Sequence, residues 1–306
     1  MSLALVFPGQ GAQYVGMGAG LTAVPAAQDL LTRADRVLGL SLSNLIASGP
    51  EADLTRTDLS QPAILVSSLM SYAALQAAGK APEFAATAGL SLGEYTALVV
   101  AGALSADDAI RLVRLRGQAM QDAAERTAGG MVALIGADEA KAAELCATAA
   151  QGEVLVVANL NSPGQVVISG AKAACERAVA LAKELGIRRA IALPVAGAFH
   201  SPLMAPAAER LHAALAATSF QVPRVPVFTN VHGGPVTNPT EFPGLLVRQL
   251  TQPVRWADGV LAMAAAGHTS FLELGPKKTL SGMIQQTVKD AICRNVDTAA
   301  DVAALT

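Results

Sequence analysis

The chain has 306 residues, 52% hydrophobic and only 15% charged, so it can build a large packed core and is not held open by self-repelling charge. Its 22 Lys and Arg nearly cancel 24 Asp and Glu to a net charge of −2, which argues against a dedicated nucleic-acid binder of the usual basic kind. Apolar runs such as Ala97 to Ala101 and Val154 to Ala158 are stopped by Gly or Asn before about 18 residues accumulate, so no membrane span is expected.

From the N-terminus, Met1 to Phe7 reads as a buried first strand ended by the turn Pro8-Gly9. It lacks a Lys or Arg n-region, so no signal peptide is expected and the expected compartment is the cytoplasm. The following loop to Gln13 is rich in backbone donors with little side-chain bulk. It is neither a dinucleotide nor a Walker loop, but it suits a donor to an oxyanion. Further on, Phe84 to Ala88 reads as a strand, Gly89-Leu90-Ser91-Leu92-Gly93 as a tight turn, and Glu94 to Leu104 as a helix. Strand and Ala-rich helix patterns alternate along most of the chain, which makes the expected class α/β.

Between 126 and 196 the pattern becomes a compact series. Met131 to Ile135 reads as a strand, Asp138 to Ala150 as a helix, and Val154 to Ala158 and Gln165 to Ser169 as strands around an Asn161 to Gly164 turn. Ala171 to Leu185 is then a helix and Arg188 to Leu193 a last strand. This β-α-β-β-α-β order is that of a ferredoxin-like module, here inserted into a larger discontinuous domain made of 1–125 and 197–306. After it, Ser201 to Ala217 is helical in pattern, while Val225 to Thr229 and Ser270 to Leu274 are strands.

The turn at 89–93 matches G-x-S-x-G in the strand-turn-helix context that a nucleophile elbow needs, where the next helix aims its N-terminal amides at the site. A serine requires a base. Of the four histidines, His212 lies mid-helix, His268 beside a Gly turn and His232 in a turn, where solvated or capping roles suffice. His200 follows Gly197-Ala198-Phe199 at the junction of the two expected domains, a common place for a cleft. Arg111, Arg114 and Arg116 share one helical stretch, read as a solvated face from which at least one could turn inward to an anion. Cys146, Cys175 and Cys293 are odd in number and have no CxxC spacing. They fit reduced core thiols, and no metal site is expected.

Five blocks together, Phe7-Pro8-Gly9-Gln10-Gly11, Gly89 to Glu94, Arg116 to Gln121, Gly197 to Ser201 and Gln249-Leu250 before Pro253-Val254-Arg255-Trp256, resemble the malonyl-CoA:acyl carrier protein transacylase family over essentially the whole chain. The resemblance implies an α/β-hydrolase-like large domain with the ferredoxin-like insert. It implies Ser91 as nucleophile, His200 as base, backbone amides of Gln10 and Leu92 as oxyanion hole, and the Gln249 carbonyl as the group orienting His200. Arg116 would bind the malonyl carboxylate, and Phe199 matches an aromatic that accompanies malonyl over methylmalonyl selection. Leu90 departs from a common form of the motif that has His before the serine.

The implied reaction moves malonyl from malonyl-CoA, through a malonyl-serine, to the phosphopantetheine thiol of acyl carrier protein for fatty acid biosynthesis, with no permanently bound cofactor. An acidic carrier would meet local cations, with Arg188-Arg189 and Lys277-Lys278 as candidates. Three alternatives stand beside this reading: a serine thioesterase or esterase with water as acceptor, a transferase subunit of a malonate decarboxylase complex, and a non-catalytic module, the last disfavoured by Ser91, His200 and Arg116 all being present.

Overall fold

The structure is a computed structural model that describes residues 2–195 and 197–305. Met1, the expected boundary residue Ala196 and Thr306 lie outside the described residues. Strands in chain order are β1 (Ser2–Phe7), β2 (Ala86–Gly89), β3 (Gly129–Ile135), β4 (Leu155–Ser162), β5 (Gln165–Ala171), β6 (Arg189–Ala192), β7 (Val227–Thr229), β8 (Gly234–Val236), β9 (His268–Leu274) and β10 (Ile292–Val296). The fold is mixed α/β, with two sheets covered by helices.

The larger sheet has the order β10-β9-β1-β2-β7-β8, all parallel except the last pair. Both faces of β1 are buried, which is why it reads as an unbroken apolar run. Leu5 and Phe7 point into a core shared with the helices Thr57–Ala77, Gly93–Val100, Ala106–Arg126 and Ala205–Ala216. Ala4 and Val6 point the other way, into a core with Trp256, Val260, Leu280 and Ile284 of the helices Trp256–Ala265 and Thr279–Thr287. From β1 the strands run to β2 and β7 on one side and to β9 and β10 on the other. Such a reversal of direction opens a crevice at the carboxyl ends of the strands.

The smaller sheet is antiparallel, in the order β4-β5-β3-β6. One face buries Val132, Leu134, Val166 and Ile168 against the helices Glu139–Ala150 and Lys172–Leu181, which also carry the buried thiols Cys146 and Cys175. Its other face contributes Ala133, Ala158 and Val167 to the main core. Strand β4 is also tied through backbone to the segment that precedes the helix Trp256–Ala265: Leu160 N–H donates to Val254 O at 2.9 Å, and Val254 N–H to Ala158 O at 2.8 Å.

Several expected bounds shift. The helix expected to reach Leu104 ends at Val100, and the one expected to reach Leu185 ends at Leu181. β4 continues to Ser162, so Asn161 is in a strand and not in the turn. The helical pattern from Ser201 starts as a 3-10 turn, Pro202–Met204, before Ala205–Ala216. Cys293 is not a fully buried core thiol, since it sits half-buried in the edge strand β10. No helix among the described residues is long and apolar enough to cross a membrane.

Because Leu5 is fully buried in the main core, Leu5→Ala should lower stability by about 2–5 kcal/mol. Val222 is 71% exposed, so Val222→Ala should stay within about 0.5 kcal/mol. Urea unfolding checks the pair, and equal losses would contradict this core.

Candidate active site

Ser91 sits two residues beyond the end of β2, at the carboxyl edge of the larger sheet, with a left-handed φ of 53°. That conformation costs a non-glycine residue on the order of 1–3 kcal/mol, so surrounding bonds must hold it. Gly89 and Gly93 make the tight turn sterically feasible. A Cβ on Gly89 would run into the backbone of Gly93, and one on Gly93 into the carbonyls of Phe7 and Pro8. Asn230, just beyond β7, locks the turn from the side. Its Oδ1 accepts the Ser91 N–H at 2.6 Å and its Nδ2 donates to Gly89 O at 2.7 Å.

His200 is buried and also has a positive φ, 56°. Its Nε2 lies 2.9 Å from Ser91 Oγ, and its Nδ1 lies 2.7 Å from the backbone carbonyl of Gln249. Gln249 is the last residue of the helix Phe242–Gln249, where carbonyls lose their intrahelical partners. An orphan helix carbonyl therefore accepts a hydrogen bond from Nδ1–H and leaves Nε2 as an acceptor facing the serine. The negative end of the helix dipole also favours an imidazolium when it forms. Burial, then the charge of Arg116, lowers the His200 pKa to about 4, against the raising effect of the Gln249 bond.

Arg116 is 1% exposed and projects inward from the helix Ala106–Arg126. Its Nη1 donates to Gln61 Oε1 at 2.7 Å, and its Nη2 to Ser91 Oγ at 2.9 Å and to Gln249 Oε1 at 3.0 Å. Its Nε is buried without a partner, and among the described residues no carboxylate pairs with it directly. Burial lowers its pKa, with Tyr95 and Glu94 opposing. The solvated-face reading fails for this residue. It holds for Arg111, which is exposed and paired with Asp108, while Arg114 binds the buried Asp58 at 2.8 Å.

Beneath the elbow lies the fully buried Glu94. Its Oε2 accepts from Asn230 N–H at 2.9 Å and from Gln249 Nε2 at 2.8 Å. Burial raises its pKa to about 7, against those two bonds and Arg116. Gln249 Nε2 also donates to Ser91 O at 3.0 Å. Glu94, Asn230 and Gln61 received no role in the sequence reading, because their partners lie far along the chain.

Half-buried Gln10 follows β1 and donates its side-chain amide to Thr57 Oγ1 at 3.3 Å. Its loop lies against the elbow, since Leu90 N–H donates to Phe7 O at 3.0 Å. The buried Leu92 precedes the helix Gly93–Val100, and Phe199 is buried beside His200. Arg188 and Arg189 are exposed at the edge strand β6, and Lys277 and Lys278 are exposed as well, with Lys277 Nζ donating at 2.9 Å to the carbonyl of Gly11, next to Gln10. His268 is buried in β9 with Nδ1 2.6 Å from Ser2 Oγ, which corrects its reading as a solvated or capping group. No cluster of three or more His, Cys, Asp or Glu among the described residues could hold a metal ion. A cavity of 630 Å³ near Leu3, Lys80, Ser270 and Ile292 includes none of the residues above.

Known proteins match along the whole chain. Residues 4–305 match the model of the acyl transferase domain family. The malonyl CoA-acyl carrier protein transacylase of Escherichia coli K12 is 46% identical over 287 residues, 93% of this chain and 92% of that one. An acyl carrier protein S-malonyltransferase crystal structure from Vibrio cholerae superposes with a TM-score of 0.96 at 43% identity, covering 100% of both chains. A type II PKS acyl-carrier protein in complex with its malonyl-transacylase gives 0.96 at 39% identity, covering 100% of this chain and 99% of that one.

A low His200 pKa leaves Nε2 neutral and able to take the serine proton throughout the neutral range. The rate of Ser91 modification by a fluorophosphonate should therefore be flat there and fall to half only near pH 4. A half-point at the ordinary histidine value of 6.5 would contradict this environment.

Proposed function

This chain belongs to the acyl transferase domain family, and from that premise we infer that it transfers the malonyl group of malonyl-CoA to the thiol of acyl carrier protein for fatty acid synthesis. Malonyl-CoA is the donor substrate and no resident cofactor takes part. The observation that carries the reading is Arg116, a buried guanidinium whose Nε has no partner and which no carboxylate among the described residues contacts. A buried unpaired cation is costly, and an acyl group bearing its own carboxylate supplies the partner. Arg116 Nη2 already touches the serine oxygen, so a carboxylate held there belongs to an acyl group on Ser91.

In the first half-reaction Ser91 Oγ attacks the thioester carbonyl while His200 Nε2 takes its proton. Backbone amides of Gln10 and Leu92 receive the oxyanion, Leu92 from the positive end of the helix that begins at Gly93. The carbon–sulfur bond breaks and His200 returns the proton to the departing thiolate of CoA. In the second half-reaction His200 deprotonates the carrier thiol, which attacks the acyl-serine, and the same proton goes back to Ser91 Oγ. The Gln249 carbonyl stabilises the imidazolium in both, in place of a triad carboxylate. Phe199 closes the acyl site and favours an unbranched malonyl group.

The architecture is read as an α/β-hydrolase-like large domain, 1–125 with 197–306, and a ferredoxin-like small domain, 126–196. The strand order β4-β5-β3-β6 and the β-α-β-β-α-β succession support the second assignment. Free thiols at Cys146 and Cys175 fit a reducing, cytoplasmic setting. The exposed pair Arg188 and Arg189 is the proposed contact for an acidic carrier.

Arg116→Ala should reduce acylation by malonyl-CoA by about 10²-fold or more relative to acetyl-CoA, the scale of losing a buried charged hydrogen-bonding partner. Competition between the two donors measures it, and equal losses would deny Arg116 the carboxylate. Reversing Arg188 and Arg189 to Glu should raise the carrier's KM and spare acylation by malonyl-CoA. Steady-state kinetics with varied carrier decides this, and an unchanged KM would discard the site.

A further inference from the structure

Among the described residues Glu94 is the one carboxylate hydrogen-bonded to Asn230 and Gln249 in the active-site web, and its side chain makes no hydrogen bond to Ser91 or His200. Its Oε2 takes both the Asn230 N–H and the Gln249 Nε2 donor. The other end of each partner acts at the reaction centre. Asn230 Oδ1 holds the Ser91 N–H at 2.6 Å, and the Gln249 carbonyl holds His200 Nδ1 at 2.7 Å. The Gln249 side chain also accepts from Arg116 Nη2 through Oε1. Its amide is thereby fixed at both ends, by a carboxylate on one side and a guanidinium on the other.

We propose that Glu94 is a positioning residue for acyl transfer: one carboxylate oxygen ties Asn230 to Gln249 and so sets the serine turn and the histidine acceptor in register. The inference rests on Ser91 and His200 being the reacting pair. Burying a carboxylate without a direct ion pair costs stability, and an apolar side chain would fill the same space more cheaply. What an apolar side chain cannot do is accept two hydrogen bonds at one point.

Position and charge can be separated, because both donors converge on the same oxygen. Glu94→Gln offers an amide oxygen at the same reach and removes the charge. Glu94→Asp keeps the charge and withdraws it by one methylene, roughly 1.5 Å, from both donors. If position is what matters, the neutral variant outperforms the charged one. Glu94→Asp should lower kcat by about 10²-fold, the lower end of what a misoriented general base costs. The KM for malonyl-CoA should change by less than about 3-fold. Glu94→Gln should keep kcat within about 10-fold of the parent.

A second readout separates this from simple loss of packing. The Gln249 carbonyl raises the basicity of His200, so loosening it should move the acid half-point of Ser91 phosphonylation to lower pH in Glu94→Asp and leave it in place in Glu94→Gln. A residue that only packs would change the melting temperature and leave that half-point alone. Glu94→Asp reacting like the parent, Glu94→Gln falling as low as Glu94→Asp, or an unmoved half-point in Glu94→Asp would each overturn the proposal. The phosphonate assay needs no malonyl-CoA. Failure of the parent to accept a malonyl group would therefore count against the proposed function alone.

Discussion

A guanidinium buried beside a serine, without a carboxylate to pair with, is the constraint from which the rest of the site follows. Arg116 is held by two amide oxygens and one hydroxyl, and all three are neutral acceptors. Neutral partners satisfy donors but leave the charge itself uncompensated in a low-dielectric setting. The helix Thr57–Ala77 supplies Gln61, the helix Phe242–Gln249 supplies Gln249, and the strand-turn-helix unit supplies Ser91. Three separate parts of the chain thus converge on one cation. In the inferred reaction the substrate's carboxylate completes the arrangement, which makes the same residue a source of affinity and of discrimination.

The chemistry around that cation is assembled largely from the ends of secondary structures. The serine stands where β2 hands over to a helix, and its histidine is oriented by the last carbonyl of another helix. That carbonyl is a group a helix end leaves without an intrahelical partner, so its use adds no new polar burial. A neutral carbonyl in place of an aspartate has a further consequence. Buried, with Arg116 close by and no adjacent anion, His200 is held neutral near pH 7, with Nε2 able to accept a proton. The strained φ values of Ser91 and His200 are maintained by Asn230, Gln249 and Ser201, whose hydroxyl donates to Ala198 O at 2.6 Å.

How much of this was legible in the sequence depended on distance along the chain. The elbow was readable because its requirements are local: two glycines, a serine, a strand before and a helix after. The βαββαβ series was readable because each element carries its own period and turn. Arg116 was harder, since by residue type it matches Arg111 and Arg114. Its position does carry a signal: Ala109, Leu112, Val113, Met120 and Ala123 form the buried stripe of that helix, and Arg116 falls within it at i+3 and i+4 spacing. The helix that supplies Gln61 was missed because most of its residues are buried on all sides, which erases the period. Glu94 was quoted within a motif and given no role. The donors to its carboxylate, Asn230 and Gln249, lie 136 and 155 residues away and meet it only in the folded chain.

The central claim is that a malonyl group passes through Ser91. The most direct measurement mixes the protein with malonyl-CoA in the absence of carrier protein, then determines intact mass and maps the modified peptide. One malonyl group per chain is expected on Ser91, released on addition of the carrier thiol. No adduct, or an adduct on any other residue, would contradict it.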